Sequence, residues 1–239
     1  MPYNFSRIWL RLMPRVPVRL VSWNEIVEWS WGLAKKIEES GYMPDIIIAI
    51  ARGGYVPARL LCDFLGVENL VSIQSQHWTE AAKKGEKAII KFEYTINLEN
   101  MRALLVDDII DTGESVILAK EYITRNWKPK ELRVATLQWI SSVAKIKPDY
   151  YYIEVKDWVW FQYPWTRLED VTQFLKRIIT TEYSEKGKNT WTLDELKKAF
   201  VEWYGINIEE LNKYFNEALE ILVKKGTLKI INGKYIYTT

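Results

Sequence analysis

The sequence predicts an α/β protein with a central, mainly parallel sheet, followed by a small C-terminal helical unit. Short apolar runs such as DIIIAIA (45–51) and RALLVDD (102–108) alternate with amphipathic helical segments over the first two thirds of the chain. Strands and helices that alternate at this spacing are typical of right-handed crossovers in a parallel sheet covered on both faces. After the YPWT stretch the pattern changes to three helices and a terminal hairpin. We therefore predict two domains, residues 1–166 and 167–239.

The elements of the first domain follow one another in a regular order. Its first helix begins after Ser22, which forms a capping-box pattern with Glu25, and the apolar periodicity ends at Gly41. The predicted elements that follow are a strand (45–51), a helix (57–66), a strand (67–76), a polar, lysine-rich loop (77–91), a strand (102–108), a helix (114–127) and a strand (132–140).

The second domain is predicted to hold three helices and a hairpin. Apolar stripes at helical spacing run through 168–186, 193–205 and 208–226. Asn232-Gly233, between two short strand patterns, is a strong signal for a type I′ turn. Three helices followed by a terminal hairpin resemble a winged helix.

Composition limits the classes of function. The 239 residues are 48% hydrophobic and carry a formal net charge of +2, which argues against nucleic-acid binding by bulk charge. A single cysteine, Cys62, excludes an internal disulfide, and with one histidine, His77, a Cys/His zinc cluster is excluded as well. Pro14 and Pro17 interrupt the basic N-terminal stretch, so we predict neither a signal peptide nor a membrane span, and a cytoplasmic location.

The stretch LLVDDIIDTGES (104–115) contains the residues that indicate a ligand-binding site. Ligands of an open parallel sheet bind beyond the carboxyl ends of the strands. Thr112, Gly113, Glu114 and Ser115 open the next helix, where unpaired backbone N–H groups can hold a phosphate. Asp107 and Asp108 are acceptor-only side chains that suit vicinal hydroxyls or a magnesium ion bound to the same ligand. Ribose with a 5-phosphate has both the phosphate and the vicinal hydroxyls that these residues would bind.

This stretch resembles the phosphoribosyl pyrophosphate motif of type I phosphoribosyltransferases, and the resemblance covers roughly residues 20–166. It implies the fold of that family, phosphoribosyl pyrophosphate and a purine base as substrates, Mg²⁺ as the cofactor, and a homodimer. It also implies that Asp111 acts as a general acid or base near purine N7, and that Asp107 and Asp108 hold the ribose hydroxyls.

Two other segments match the family in the same order. IAIARGGYVPARLL (48–61) is similar to the loop that holds pyrophosphate, which implies that Arg52 and Gly53 bind the leaving group and that a cis peptide lies there. KPDYYYIEVKDWVWFQYPW (147–165) is similar to the base-binding end of purine enzymes. There Trp158 would stack on the purine, and the backbone of Val159 would meet its edge. The lysine-rich stretch 77–91 is the expected mobile cover of the site.

The purine itself is predicted from a departure from the family pattern. In 6-oxopurine enzymes the strand that matches 132–142 ends in a lysine that donates to O6, whereas this chain has Trp139 and Ile140 there and no lysine before Lys145. Loss of an ammonium donor fits the exocyclic amine of adenine. We therefore expect an adenine phosphoribosyltransferase that forms AMP, with a 6-oxopurine enzyme as the alternative.

A regulator that senses phosphoribosyl pyrophosphate and binds DNA through the C-terminal unit is a further alternative. The segment expected to read DNA, IEELNKYFNEALEILVKK, is acidic along much of its length. We therefore predict a catalytic protein without a nucleic-acid partner, whose C-terminal unit is a helical appendage.

Overall fold

The computed structural model describes residues 15–77 and 88–238 of the chain. The described residues form two compact units, one of residues 23–77 and 88–158 and the other of residues 15–22 together with residues 159–238. The predicted domain boundary between residues 166 and 167 remains a prediction. Along the part of the chain that the structure describes, no helix is long and apolar enough to cross a membrane.

The helices and strands are numbered in chain order. They are β1 (Val18–Leu20), α1 (Trp23–Glu39), β2 (Ile46–Ala51), α2 (Tyr55–Leu65), β3 (Leu70–His77), β4 (Ala88–Lys91), β5 (Arg102–Ile110), α3 (Glu114–Asn126), β6 (Glu131–Ile140), β7 (Tyr150–Val155), β8 (Trp160–Gln162), α4 (Arg167–Lys186), β9 (Thr190–Trp191), α5 (Leu193–Tyr204), a 3-10 helix (Ile208–Leu211), α6 (Asn212–Lys224), β10 (Leu228–Ile231) and β11 (Lys234–Tyr237).

The 23–158 unit is built on a six-stranded sheet of order β4-β3-β2-β5-β6-β7. All neighbours pair in parallel except β3 and β4, which are antiparallel. Every residue of β2 is buried, as expected for a β-branched run covered on both faces. The predicted mainly parallel α/β sheet is confirmed.

Helices cover this sheet with their apolar stripes. Helix α3 buries Val116, Ala119 and Ile123 in a cluster that also holds sheet residues from β2, β3, β5 and β6. Helix α1 contacts β6 and β7, while α2 contacts β2, β3 and β5. These contacts hold the two helix-opening loops, after β2 and after β5, in fixed positions relative to the strands.

The order of the strands sets the position of the candidate site. Strands β2 and β5 are parallel neighbours, with Ile46 opposite Ala103 and Ala49 opposite Val106. The two segments that follow them, which carry ARGG and DTGES, therefore lie at the same edge of the sheet.

The other unit contains the C-terminal helices and a small antiparallel sheet of order β10-β11-β9. Its core includes Trp191, Phe200, Tyr204 and Phe215, all fully or nearly fully buried. The order helix, strand, two helices and hairpin resembles a winged helix.

The turn between β10 and β11 confirms the sequence signal. Asn232 has φ 51° and Gly233 has φ 73°. A type I′ turn requires positive φ at both central residues, so Asn-Gly fits this hairpin.

Three predictions about elements were wrong in detail. Residues 88–91 of the predicted loop form the edge strand β4, because Ile90 packs against the core under α3, while residues 78–87 lie outside the described part. Strand β5 continues to Ile110, because Ile109 and Ile110 pair with Gln138 and Trp139. The third C-terminal helix is preceded by a 3-10 turn, in which the Asn207 side chain accepts from the Glu209 N–H.

Candidate functional site

The two adjacent carboxylates lie within strand β5 and are held by its backbone. Asp107 is half-buried, and Asp108 is 7% exposed. The backbone N–H of Asp108 donates to Asp107 Oδ1 over 3.0 Å, and the N–H of Ile109 donates to Asp108 Oδ1 over 2.9 Å. Both side chains are therefore oriented by their own strand.

The surroundings of this pair favour a proton or a cation. Burial raises the pKa of Asp107 well above its ordinary value, and the neighbouring charge of Asp108 raises it further, whereas the hydrogen bond from the Asp108 backbone opposes the shift. Two carboxylates side by side repel each other when both are ionised. Hydroxyl donors or a divalent cation would relieve that repulsion.

The loop after β2 lies directly against Asp108. The Ala51–Arg52 peptide bond is cis, as the resemblance implies. A Cβ added to Gly53 would lie 2.4 Å from Asp108 Oδ2, and one added to Gly54 would lie 2.4 Å from the Val106 carbonyl oxygen. Only glycine fits at these two positions without displacing the acid or the strand, so ARGG and the carboxylate pair form one surface.

The DTGES segment forms the turn from β5 into α3. Gly113 precedes the helix with φ 85°, a conformation that glycine adopts without strain, and the Glu114 N–H approaches Thr112 Oγ1 at 3.4 Å. A cavity of about 440 Å³ is lined by Asp107 and residues 109–116. The first N–H groups of a helix lack intrahelical partners, so this cavity suits an anion.

Lys145 also reaches this turn, from the segment after β6. Its backbone N–H donates to the Thr112 carbonyl oxygen over 2.9 Å, and its Nζ donates to Glu114 Oε1 over 2.6 Å. Ile146 packs beside Gly113, where an added Cβ would come within 2.7 Å of Ile146 Cγ2. Sequence reasoning missed this role of Lys145, because the contact joins two elements and no motif spacing encodes it.

The predicted base-binding residues lie after β7. Trp158 is 38% exposed and belongs to the 23–158 unit. Val159 begins the other unit. The structure brings Arg52, Gly53, Asp107, Asp108 and residues 111–115 to one sheet edge, and the assignment of roles to all of these residues remains a proposal.

The end of β6 holds Trp139 and Ile140 where the resemblance would place a lysine. Ile140 is only 1% exposed. Trp139 stands opposite Ile110 in the sheet, and within the described ranges its buried indole Nε1–H has no hydrogen-bond acceptor. No lysine therefore stands at this position, and the indole nitrogen is buried in the core.

Comparison with known proteins identifies the family. Residues 20–170 match the description "Phosphoribosyl transferase domain". The chain belongs to the phosphoribosyltransferase family. The family match agrees with the mainly parallel sheet described above, because phosphoribosyltransferases share this α/β fold.

Individual phosphoribosyltransferases are also similar to this chain. A xanthine-guanine phosphoribosyltransferase of Desulfotalea psychrophila is 30% identical over 164 residues, which cover 68% of this chain and 92% of the relative. One from Nitratidesulfovibrio vulgaris is 27% identical over 147 residues, covering 61% and 82%. The crystal structure of a purine phosphoribosyltransferase from Pyrococcus horikoshii has a TM-score of 0.55 and 31% identity, covering 62% of this chain and 93% of that one.

These relatives contradict the prediction of an adenine phosphoribosyltransferase that forms AMP. Both curated relatives are named for xanthine and guanine, which are 6-oxopurines. The absence of one lysine was the basis of the adenine prediction. That inference was wrong because it let one missing side chain decide the base.

Proposed function

We propose that this protein transfers the 5-phosphoribosyl group of phosphoribosyl pyrophosphate to a 6-oxopurine base and releases pyrophosphate. The observation that carries the proposal is the contact between two separate motifs at one sheet edge. Gly53 lies against the carboxylate of Asp108, and the same strand leads into the cavity at residues 111–115. A leaving-group loop, a diol-binding pair of acids and a phosphate cradle are thus adjacent.

Each part of the sugar substrate has a matching group. Ionised carboxylates accept hydrogen bonds from vicinal hydroxyls, so Asp107 and Asp108 would hold the ribose O2′ and O3′. The backbone N–H groups of residues 112–115 would hold the 5-phosphate. Arg52 and the Gly53 N–H would bind the pyrophosphate, because a guanidinium and a close backbone donor both favour phosphate oxygens.

The reaction exchanges one bond at C1′ for another. The C1′–O bond to pyrophosphate breaks with its electron pair on the leaving oxygen, and a ring nitrogen of the purine forms the new C1′–N bond. The purine gives up one proton. Asp111, which follows β5 directly, would accept or stabilise that proton. Arg52 and the backbone donors would stabilise the charge that develops on pyrophosphate.

Magnesium fits this site only as an ion shared with the substrate. Among residues 15–77 and 88–238, no group of three or more His, Cys, Asp or Glu side chains is arranged to hold a metal ion. Asp107 and Asp108 supply the hard oxygen ligands that Mg²⁺ prefers, and the raised pKa of Asp107 indicates that a cation would be favoured beside them. Bound there, Mg²⁺ would neutralise charge on the pyrophosphate.

The choice of a 6-oxopurine rests on the curated relatives, both of which are named for xanthine and guanine. Trp158, which is 38% exposed, would stack on the base.

Substitution of the two carboxylates tests the proposal. We expect base-dependent release of pyrophosphate from phosphoribosyl pyrophosphate with Mg²⁺ in the wild type. Asp107→Asn and Asp108→Asn should each raise the KM for phosphoribosyl pyrophosphate more than the KM for the base, because a hydrogen bond to a charged group contributes about 1.5–3 kcal/mol, or roughly 10- to 100-fold. Asp63→Asn is the matched control, because Asp63 is exposed on α2. An unchanged KM and kcat in both variants would remove the pair from the site.

A further inference from the structure

The phosphate cradle contains an acidic residue. Glu114 is the first residue of α3, directly after the glycine that opens the helix, and it lines the cavity formed by Asp107 and residues 109–116. A carboxylate stabilises a helix N-terminus through the helix dipole. The same charge opposes a phosphate that binds to the same N–H groups. The chain must therefore offset the charge of Glu114 if this cavity holds a phosphate dianion.

Lys145 supplies the positive charge that offsets Glu114. Its Nζ lies 2.6 Å from Glu114 Oε1, while the two side chains remain 62% and 35% exposed. Backbone hydrogen bonds fix the segment that carries it, since Ala144 N–H donates to the Ile140 carbonyl oxygen over 3.0 Å and Lys145 N–H donates to the Thr112 carbonyl oxygen over 2.9 Å. The backbone of Lys145 is thus held beside the turn into α3, where its ammonium group contacts Glu114.

We propose that Lys145 is a positioning residue for the 5-phosphate, which acts by neutralising Glu114 rather than by contributing to stability. The inference rests on the proposed function, since it concerns the phosphate of the same sugar substrate. An exposed ion pair contributes little to folding, so its removal should leave the protein folded. The ion pair instead reduces the negative charge of Glu114 that an entering phosphate meets.

The size of the effect follows from Coulomb's law. A dianion and one carboxylate separated by about one helical turn repel each other by about 1.5 kcal/mol in a water-like dielectric, which is roughly ten-fold in affinity. Lys145→Ala should therefore raise the KM for phosphoribosyl pyrophosphate about ten-fold at low salt, with little change in kcat. The increase should shrink at high ionic strength, because salt screens exposed charges.

A second substitution distinguishes an electrostatic role of Lys145 from a structural one. Glu114→Gln removes the charge that Lys145 offsets, so the double variant Glu114→Gln/Lys145→Ala should return the KM to within about two-fold of the wild type. Lys147→Ala is the control, because Lys147 Nζ lies over the rings of Trp139 and Tyr151 and not at the cradle. If Glu114→Gln alone raises the KM, the pair has a structural role and the inference is overturned. If the double variant stays as weak as Lys145→Ala, Lys145 binds the phosphate directly and the inference is equally overturned.

Calorimetry with ribose 5-phosphate separates this inference from the proposed function. The dissociation constant for this sugar phosphate should follow the order expected for the KM. It should be raised about ten-fold in Lys145→Ala, not raised in Glu114→Gln, and within about two-fold of the wild type in the double variant. If the wild type shows no transferase activity but ribose 5-phosphate affinity follows that order, the proposed function fails and the inference stands. If transfer occurs and neither the KM nor this affinity responds to Lys145→Ala, the inference alone fails.

Discussion

At the scale of single residues, the carboxylate pair makes activity depend on pH. The pKa of Asp107 is raised because the half-buried carboxyl group is partly removed from water and lies beside the charge of Asp108. An acid whose pKa is raised by folding contributes stability that is lost as pH rises, since the unfolded chain ionises first. Binding of the sugar hydroxyls and of Mg²⁺ needs the ionised form, so function and stability respond to pH in opposite directions.

The pH profile tests this description of the pair. As pH falls through the raised pKa of Asp107, kcat/KM for phosphoribosyl pyrophosphate should fall. Asp108→Asn removes the neighbouring charge, so the pKa of Asp107 should decrease and the acidic limb of the profile should move to lower pH. Profiles of the wild type and the variant, measured at one ionic strength, make the comparison. A limb that stays in place or moves to higher pH would contradict the assignment.

Gly53 provides a steric test of the same surface. An alanine Cβ would lie 2.4 Å from Asp108 Oδ2, so Gly53→Ala must displace either the loop or the acid. We expect at least a ten-fold loss of kcat/KM, since a ~1 Å misplacement of a positioning group can cost about 100-fold. Gly66→Ala is the control for backbone strain without a steric contact, because Gly66 has φ 65° and no atom lies within 4 Å of its added Cβ. Equal activity of both variants would contradict the contact between ARGG and Asp108.

At the scale of elements, periodicity predicted what local sequence determines. Strand β2 and helix α3 were predicted because an apolar run and an apolar stripe specify burial directly. Strand β4 was missed because its edge position depends on pairing with β3 and on a core partner for Ile90, neither of which is local. The Lys145–Glu114 contact was missed for the same reason. Sequence motifs thus indicated the candidate acids and the turn into α3, whereas the contact of Lys145 with that turn required the fold.

Helix α5 offers a test of local stability in the C-terminal unit. Thr192 Oγ1 accepts from the Glu195 N–H, and the Glu195 side chain accepts from the Thr192 N–H. Thr192→Ala should destabilise the helix start by about 1 kcal/mol, which is roughly five-fold faster hydrogen exchange in its first turn. Thr180→Ala, where the hydroxyl donates only to carbonyls of its own helix, is the control. No change in exchange would show that the cap contributes nothing.

The same capping box has a definite pH window. Hydrogen bonds from Thr192 and Lys188 lower the pKa of Glu195 to about 2. A lowered pKa means that the stabilisation is present above the ordinary range of a glutamate and is lost as pH falls towards 2. The capping box should therefore be intact throughout the pH range of the enzyme assays.

At the scale of the whole molecule, the α/β fold and the family were predictable, whereas the base was not. The fold follows from many residues whose patterns agree, so single departures do not change it. The base depends on a few side chains around one ring, and one substitution at the end of β6 led to the wrong purine. The predicted homodimer, the absence of a nucleic-acid partner and the role of the C-terminal unit remain predictions.

The central claim is most directly tested by offering xanthine, guanine, hypoxanthine and adenine separately to the wild-type protein at equal concentration. Phosphoribosyl pyrophosphate and Mg²⁺ are supplied in each case, and both pyrophosphate and the nucleotide product are measured. A site built around specific hydrogen bonds can reject a mismatched analogue by about 10⁴- to 10⁵-fold. We predict turnover with at least one 6-oxopurine, and kcat/KM for adenine at least 100-fold lower. Preferential formation of AMP from adenine, or no pyrophosphate release with any base, would contradict the account.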